Sequence, residues 1–342
     1  MLAFIKLTRP LNLLIITITM YLMRHGVIEG NLIRGLRQLL RLSGNQGTLA
    51  ELDIPAAFAP QMPMDHFLLL VLGTVLIAAA GNIINDYFDT RIDRINKPDE
   101  VIVGRKVKRR VAMTAHLVLS GLGLLMSAYV AWRSGMLQWI SLPLFAIAAL
   151  WSYSTVLKKQ LVIGNTMVAI LTALVPLTVG LYEIPMLRDA FSTPQVITLP
   201  DGVQYAAETG FHEFWYWILA YSAFAFLSTL VRELQKDMAD VKGDLAGGCR
   251  TVPIAWGMRM AKGLTLFHTA LLVIGVLIVR MLLPEDRITY WYLGICVLGP
   301  LLLSAGFTYH AQNRMEHVRA GQMMKLAMVM AVCFSLLIPY LP

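Results

Sequence analysis

Asn85-Asp86-Tyr87-Phe88-Asp89-Thr90-Arg91-Ile92-Asp93 stands where a long apolar stretch runs out. Residues four apart on a helix share a face, so Asn85, Asp89 and Asp93 project together as one amide and two carboxylates. Much later, Arg232-Glu233-Leu234-Gln235-Lys236-Asp237-Met238-Ala239-Asp240-Val241-Lys242-Gly243-Asp244 also follows an apolar stretch, and three-plus-four spacing puts Asp237, Asp240 and Asp244 on one face. Two acidic faces meeting at one membrane surface repel each other unless something neutralises them. A hard divalent cation with oxygen ligands does this best, and Mg²⁺ holding a diphosphate is the natural candidate.

Composition sets the setting for these faces. The chain has 342 residues, 57% hydrophobic and only 15% charged, with mean hydropathy +0.63, which describes an all-α polytopic membrane protein. No Pro/Ser-rich linker or low-complexity stretch divides it, so one integral-membrane domain over 1–342 is expected. Cys249, Cys296 and Cys333 are widely spaced, which fits neither a disulfide framework nor a zinc site. The net charge of +8 gathers in short loops beside apolar runs, where it reports topology and not nucleic-acid binding. No obligate protein partner is evident.

Working outward, apolar runs long enough to span a bilayer cover approximately 10–27, 66–86, 110–132, 137–156, 161–183, 213–234, 261–283, 289–309 and 322–341. That predicts nine helices. The first lacks a small-residue cleavage site and reads as a retained helix. Of the 29 Lys and Arg residues, 21 fall at the N-terminus and around the loops after the even-numbered helices. The positive-inside rule therefore puts the N-terminus and both acidic clusters in the cytoplasm, in a protein of the cell (inner) membrane.

Arg24, Arg34, Arg37 and Arg41 run against this bias, on the outer side. The last three recur at helical spacing opposite Ile33, Leu36 and Leu40, so an interfacial amphipathic helix is expected after the first span. The stretch 184–212, with Asp189, Pro194, Pro200, Asp201 and Gly202, reads as an irregular external connection.

The first acidic segment continues through Arg94, Asn96, Lys97, Pro98, Asp99 and Glu100 to Gly104-Arg105-Lys106-Val107-Lys108-Arg109-Arg110. Carboxylates mixed with Lys and Arg are what a diphosphate site requires: acids hold metal, metal bridges phosphate oxygens, and bases take the oxygens left over. The plainer reading is a solvated loop with bases present for topology, and Lys108, Arg109 and Arg110 are read that way. The two acidic faces are read as functional, because ionisable groups with strict helical spacing at membrane helix ends are costly to hold together without a cation.

These residues carry a resemblance. The first segment resembles the Asn-x-x-x-Asp-x-x-x-Asp motif, followed by Asn-Lys-Pro, of the UbiA intramembrane prenyltransferase superfamily, and Asp240-Val241-Lys242-Gly243-Asp244 resembles its Asp-x-x-x-Asp motif. The likeness extends to Arg9-Pro10-Leu11-Asn12, to Tyr153-Ser154 with Leu157-Lys158 and Gly164-Asn165, and to the nine helices, covering nearly the whole chain. It implies transfer of a polyprenyl group from a prenyl diphosphate. Asn85, Asp89, Asp93, Asp237, Asp240 and Asp244 would hold Mg²⁺, with Asp89, Asp93, Asp240 and Asp244 the catalytic carboxylates. Arg94, Lys97 and Lys158 would contact phosphate.

The run from Arg232 through Asp244 to Arg250-Thr251-Val252-Pro253-Ile254 is most similar to the branch that makes geranylgeranylglyceryl phosphate ethers, which implies a lipid-phosphate acceptor. An aromatic quinone precursor of the hydroxybenzoate or naphthoate type is the alternative acceptor. One departure stands out: where the family continues Asn-Lys-Pro-x-Arg-Pro, this chain has Asp99-Glu100-Val101-Ile102-Val103-Gly104, an acid in place of a base. Arg105 or Lys106 would then take that phosphate contact. Two other classes are weighed. A CDP-alcohol phosphotransferase lacks its Asp-x-x-Asp-Gly-x-x-Ala-Arg signature here, and a cation-coupled transporter would carry its acids near the bilayer midplane, not at helix ends.

Overall fold

A backbone in lipid must satisfy its own polar groups, and among the residues described by the computed structural model (2–44, 48–199, 201–207, 210–283 and 287–341) helices dominate accordingly. Nine are long and apolar enough to cross a membrane: α1 Pro10–Leu42, α2 Met64–Asn96, α3 Arg109–Arg133, α4 Leu137–Thr155, α5 Ile163–Ala190, α6 Phe211–Ala246, α7 Met258–Leu282, α8 Arg287–His310 and α9 Arg314–Tyr340. The chain is an integral, multi-pass membrane protein.

The helices run past the apolar segments that announce them. Helix α2 continues through the whole acidic motif to Asn96 and stops before Pro98, and α6 carries Asp237, Asp240 and Asp244 within it. Proline disfavours the helical region for the residue preceding it, and Lys97 has left the helix at φ −144°. Helix α2 packs on α3, α5 on α6, and α6 on α9. Small residues allow the first of these contacts: a Cβ added to Gly123 would stand 2.7 Å from the carbonyl oxygen of Gly73.

Two expectations are corrected on the outer side. The amphipathic segment is no separate interfacial helix: α1 runs unbroken from Pro10 to Leu42, its hydrogen bonding widened to a π-helical stretch over Met23–Glu29. The helix continues because Arg24 is not a surface charge. It is buried, its Nε 2.9 Å from Glu183 Oε1 of α5, and it also donates to the Met62 carbonyl. Leu36 and Leu40 turn inward against Leu52, Ile197 and Leu199, while Arg37 donates to the Pro339 carbonyl at 2.7 Å. The 184–212 stretch is not wholly irregular either. Helix α5 extends into it as far as Ala190, and strands β1 Gln195–Thr198 and β2 Gln204–Ala207 pair antiparallel, with Gln195 opposite Ala207. Pro200 lies outside the described residues.

Candidate active site

Helices α2 and α6 are locked together at their acidic ends by one side chain. Asn96 Nδ2 donates to the Asp240 carbonyl at 3.1 Å, and Asn96 Oδ1 accepts from the Gly243 amide at 2.9 Å. An amide that satisfies backbone groups of a neighbouring helix fixes both separation and register. The two motifs meet because of Asn96, whose role the spacing of the acids does not reveal.

Beside this junction lies a cavity of about 950 Å³. Its polar end is lined by Asn85, Asp93, Lys97, Lys106, Asp240 and Arg314, and its apolar walls include Leu70, Ile77, Trp139, Leu150, Val175 and Tyr182. Lining residues of α2 extend from Leu70 to Asp93, so the cavity follows that helix for about 35 Å at 1.5 Å per residue. Charged residues reach inward from that end as far as Arg9, Asp86, Arg232 and Lys325, and the wall beyond them is mostly apolar, which suits a molecule with an anionic head and a hydrocarbon tail.

The carboxylates are only partly assembled. Lys158 forms an ion pair with Asp89, both side chains largely buried. Asp237 accepts from Asn165 Nδ2 at 2.7 Å. Asp240 Oδ1 faces Arg314 Nη2 at 3.7 Å, an ion pair too long for a hydrogen bond. Asp244 lies off the main cavity but within electrostatic reach of Asp240, Asp89 and Lys158. Amines and guanidinium groups thus relieve much of the repulsion that the spacing of the acids assigns to a metal alone. Just beyond α6, burial pushes the Cys249 thiol up to about 11, with Asp244 and Asp89 adding to the effect.

The basic candidates divide. Lys97 lines the main cavity and Lys158 a smaller one of about 220 Å³ beside Arg91, Ser154 and Lys159. Arg94 is exposed and lines neither of these cavities, and Arg105 is turned to the Pro98 carbonyl at 2.5 Å, so the structure places Lys106 and not Arg105 on the main cavity wall. Arg9 and Asp86 pair at 2.5 Å. Burial alone would lower the Arg9 guanidinium, but Asp86 outweighs it and holds the group above its ordinary value. Arg314 has a sequence signal that the acidic motifs overshadow: Arg314, His317, Gly321 and Lys325 recur at helical spacing, and all line the cavity.

Among the described residues no three His, Cys, Asp or Glu side chains stand together as a ready metal site. The donor chemistry nevertheless fits a hard cation. Asn85 Oδ1 and Asp240 Oδ1 are buried and accept no hydrogen bond, and a buried acceptor left unsatisfied costs about 1–3 kcal/mol. Both belong to the two motifs, both line the same cavity, and amide and carboxylate oxygens are what Mg²⁺ takes.

Fold and cavity together describe an integral membrane protein with one long cavity that is charged toward one end and apolar beyond it. Residues 54–329 match the UbiA prenyltransferase family, and the chain belongs to it. It is 30% identical over 268 residues to the digeranylgeranylglyceryl phosphate synthase of Methanothermobacter thermautotrophicus, covering 77% of this chain and 82% of that one. The enzyme of the same name from Methanopyrus kandleri is 28% identical, with 96% and 98% covered. A solved structure concerned with digeranylgeranylglyceryl phosphate synthase in membranes matches with TM-score 0.57 and 20% identity over 98% of both chains. A UbiA homolog from Archaeoglobus fulgidus, bound to GPP and Mg²⁺, matches with TM-score 0.53 and 14% identity over 99% and 100%. These likenesses bear out the expected superfamily and the all-α bundle.

Proposed function

We propose that the protein transfers a polyprenyl group from its diphosphate to a lipid-phosphate acceptor, most specifically from geranylgeranyl diphosphate to geranylgeranylglyceryl phosphate, in a Mg²⁺-dependent reaction. The observation that carries this reading is the cavity, charged toward one end and apolar beyond it, with Asn85 and Asp240, one from each motif, in its wall and the Oδ1 of each accepting no hydrogen bond. The names of the relatives from Methanothermobacter thermautotrophicus and Methanopyrus kandleri support the acceptor. Residues 1–342 would act as one unit, since α1 through α6 and α9 all contribute to the cavity wall.

Asn85, Asp89, Asp93, Asp237, Asp240 and Asp244 would hold the metal, which when bound supplies Lewis-acid stabilisation of the charge on a departing diphosphate. Lys97 and Lys158 bind phosphate oxygens left over, with Arg94 on the last turn of α2 and Arg105 on the loop after it as outer phosphate contacts. For Asp89 this means that its partner changes: Lys158 moves from carboxylate to phosphate as the donor arrives. The allylic C–O bond breaks with its electron pair leaving on the diphosphate. The acceptor hydroxyl oxygen then bonds to the allylic carbon and its proton passes to the released diphosphate. Leu70, Ile77, Leu150 and Val175 hold the chain and exclude the water that would quench the electron-poor carbon. The N-terminus and the polar end of the cavity would face the cytoplasm, as the distribution of Lys and Arg requires.

Purified protein with Mg²⁺ and labelled geranylgeranyl diphosphate, offered geranylgeranylglyceryl phosphate or aromatic quinone precursors, tests the reading. Label in a diether phosphate is expected. Label on an aromatic ring instead would overturn the acceptor assignment.

A further inference from the structure

The positive-inside count groups Arg232 and Lys325 with the cytoplasmic loop charges, yet both line the cavity well inside their helices. Lys325 is 11 residues beyond Arg314 on α9, about 16 Å along the axis, and Arg232 is eight residues before Asp240 on α6, about 12 Å. Arg314 and Asp240 face each other, so Arg232 and Lys325 lie at a common, deeper level. Arg9, Asn12 and Asp86 meet them there from α2 and the start of α1.

The charges at this level are not all paired. Arg9 is matched by Asp86 at 2.5 Å. Glu233 is shared between Arg232 at 2.7 Å and Lys236 at 3.5 Å. The Lys325 ammonium donates to the neutral Asn12 Oδ1 at 2.8 Å. Arg9, Arg232 and Lys236 thus each have a carboxylate partner, and Lys236 also lies within electrostatic reach of Asp93 and Asp240, while Lys325 is the cation of this group that pairs with none. An ammonium at this depth without a carboxylate is expensive, and a protein keeps one there when it meets an anion. Asp240 is not that anion, since it is turned to Arg314 one level above.

Resting on the acceptor reading above, we propose that Arg232 and Lys325, with Asn12 orienting the lysine, form a second anion site that receives the phosphate monoester of the acceptor, apart from the diphosphate site of the acidic motifs. The Lys325 ammonium, which has no carboxylate of its own, supplies counter-charge to a phosphate, and Arg232, whose Glu233 keeps Lys236 as a partner, supplies the rest. The guanidinium offers paired N–H donors and the ammonium a point charge that Asn12 already aims. The arrangement also sets order in the cavity. A donor whose diphosphate sits among the motifs presents its allylic carbon below them, and an acceptor anchored at the deeper level brings its hydroxyl to that carbon from beneath. Neutral alcohols with the same tail would lack the anchor.

The test compares geranylgeranylglyceryl phosphate with its dephosphorylated alcohol as acceptors, in wild type, Lys325→Gln and Lys325→Arg, with KM measured separately for the donor. Wild type is expected to favour the phosphate. Lys325→Gln is expected to raise the acceptor KM and cut the phosphate preference by about tenfold or more, with the donor KM unchanged, because a charge-assisted bond is lost. Lys325→Arg should restore much of the preference. Detergent gel filtration and melting curves check that the variants are folded, and should Lys325→Gln fail to fold, Arg232→Gln replaces it with the same expectation. Undiminished preference in a folded variant, or a rise in donor KM instead of acceptor KM, overturns the site while the acceptor reading stands. Wild type that makes no ether product from either lipid overturns the acceptor reading and the site with it.

Discussion

Asn96 and Gly243 are bound across two helices: the Asn96 Oδ1 accepts from the Gly243 amide at 2.9 Å, and a Cβ on Gly243 would lie 2.3 Å from Asn96 Nδ2. The glycine is therefore a seat for the asparagine. Gly243→Ala expels Asn96, and Asn96→Ala removes the same bridge, so both are expected to lower kcat by about 100-fold through misplaced acids. The double variant should be no worse than either single one, because both delete one interaction. Steady-state kinetics on all three, with melting curves to confirm folding, checks this.

Lys158 neutralises Asp89, and neither side chain is much exposed. Lys158→Ala leaves the carboxylate buried without its partner, a situation that costs stability until a cation arrives. Mg²⁺ should therefore raise the melting temperature of Lys158→Ala by more than that of wild type. Turnover should nevertheless fall, since the phosphate contact is gone. An equal Mg²⁺ effect on both proteins would contradict the exchange of partners proposed for Asp89.

Arg24 and Glu183 form a buried pair far from the acidic motifs, and Glu183 also accepts from the amides of Gln61 at 2.9 Å and Met62 at 3.1 Å. Removing one partner of such a pair costs about 3–5 kcal/mol. Arg24→Ala or Glu183→Ala should markedly lower thermal stability in detergent, while the surviving folded fraction keeps its KM for the donor. A melting curve like that of wild type would show that the pair is dispensable.

Cys249 provides a pH test next to the site. Its thiol is pushed up to about 11 by burial, with Asp244 and Asp89 adding, so below that pH it is the unreactive thiol and not the thiolate. In a Cys296→Ser/Cys333→Ser background, alkylation should be slow at neutral pH and accelerate steadily toward pH 11. Rapid labelling at pH 7 would mean that the thiol is not buried beside the site.

The nine spans were legible because apolar runs of membrane length leave the backbone no alternative. The two motifs were legible because helical spacing of Asp and Asn survives in the folded chain unchanged. Arg24 was misread for a physical reason: charge counting treats every arginine as solvated, and its partner Glu183 lies far along the chain on α5. The count of loop charges likewise takes in Arg232 and Lys325, although both line the cavity. Asn96 stands in the Asn-Lys-Pro that follows the first motif, but nothing local tells an asparagine that ends one helix from one that also grips another. The hairpin at Gln195–Thr198 and Gln204–Ala207 is too short to stand out beside membrane-length apolar runs, and Ile197 and Leu199 pack against Leu36 and Leu40 of α1, a contact that lies far along the chain.

The most direct measurement is calorimetric binding of a nonhydrolysable geranylgeranyl thiodiphosphate to wild type, Asp89→Ala and Asp240→Ala, each with Mg²⁺ and with chelator. Binding to wild type that requires Mg²⁺ and is lost in both folded variants is expected if the two acidic faces hold the donor through a shared cation. Equal affinity in chelator, or full Mg²⁺-dependent affinity in either variant, would contradict it.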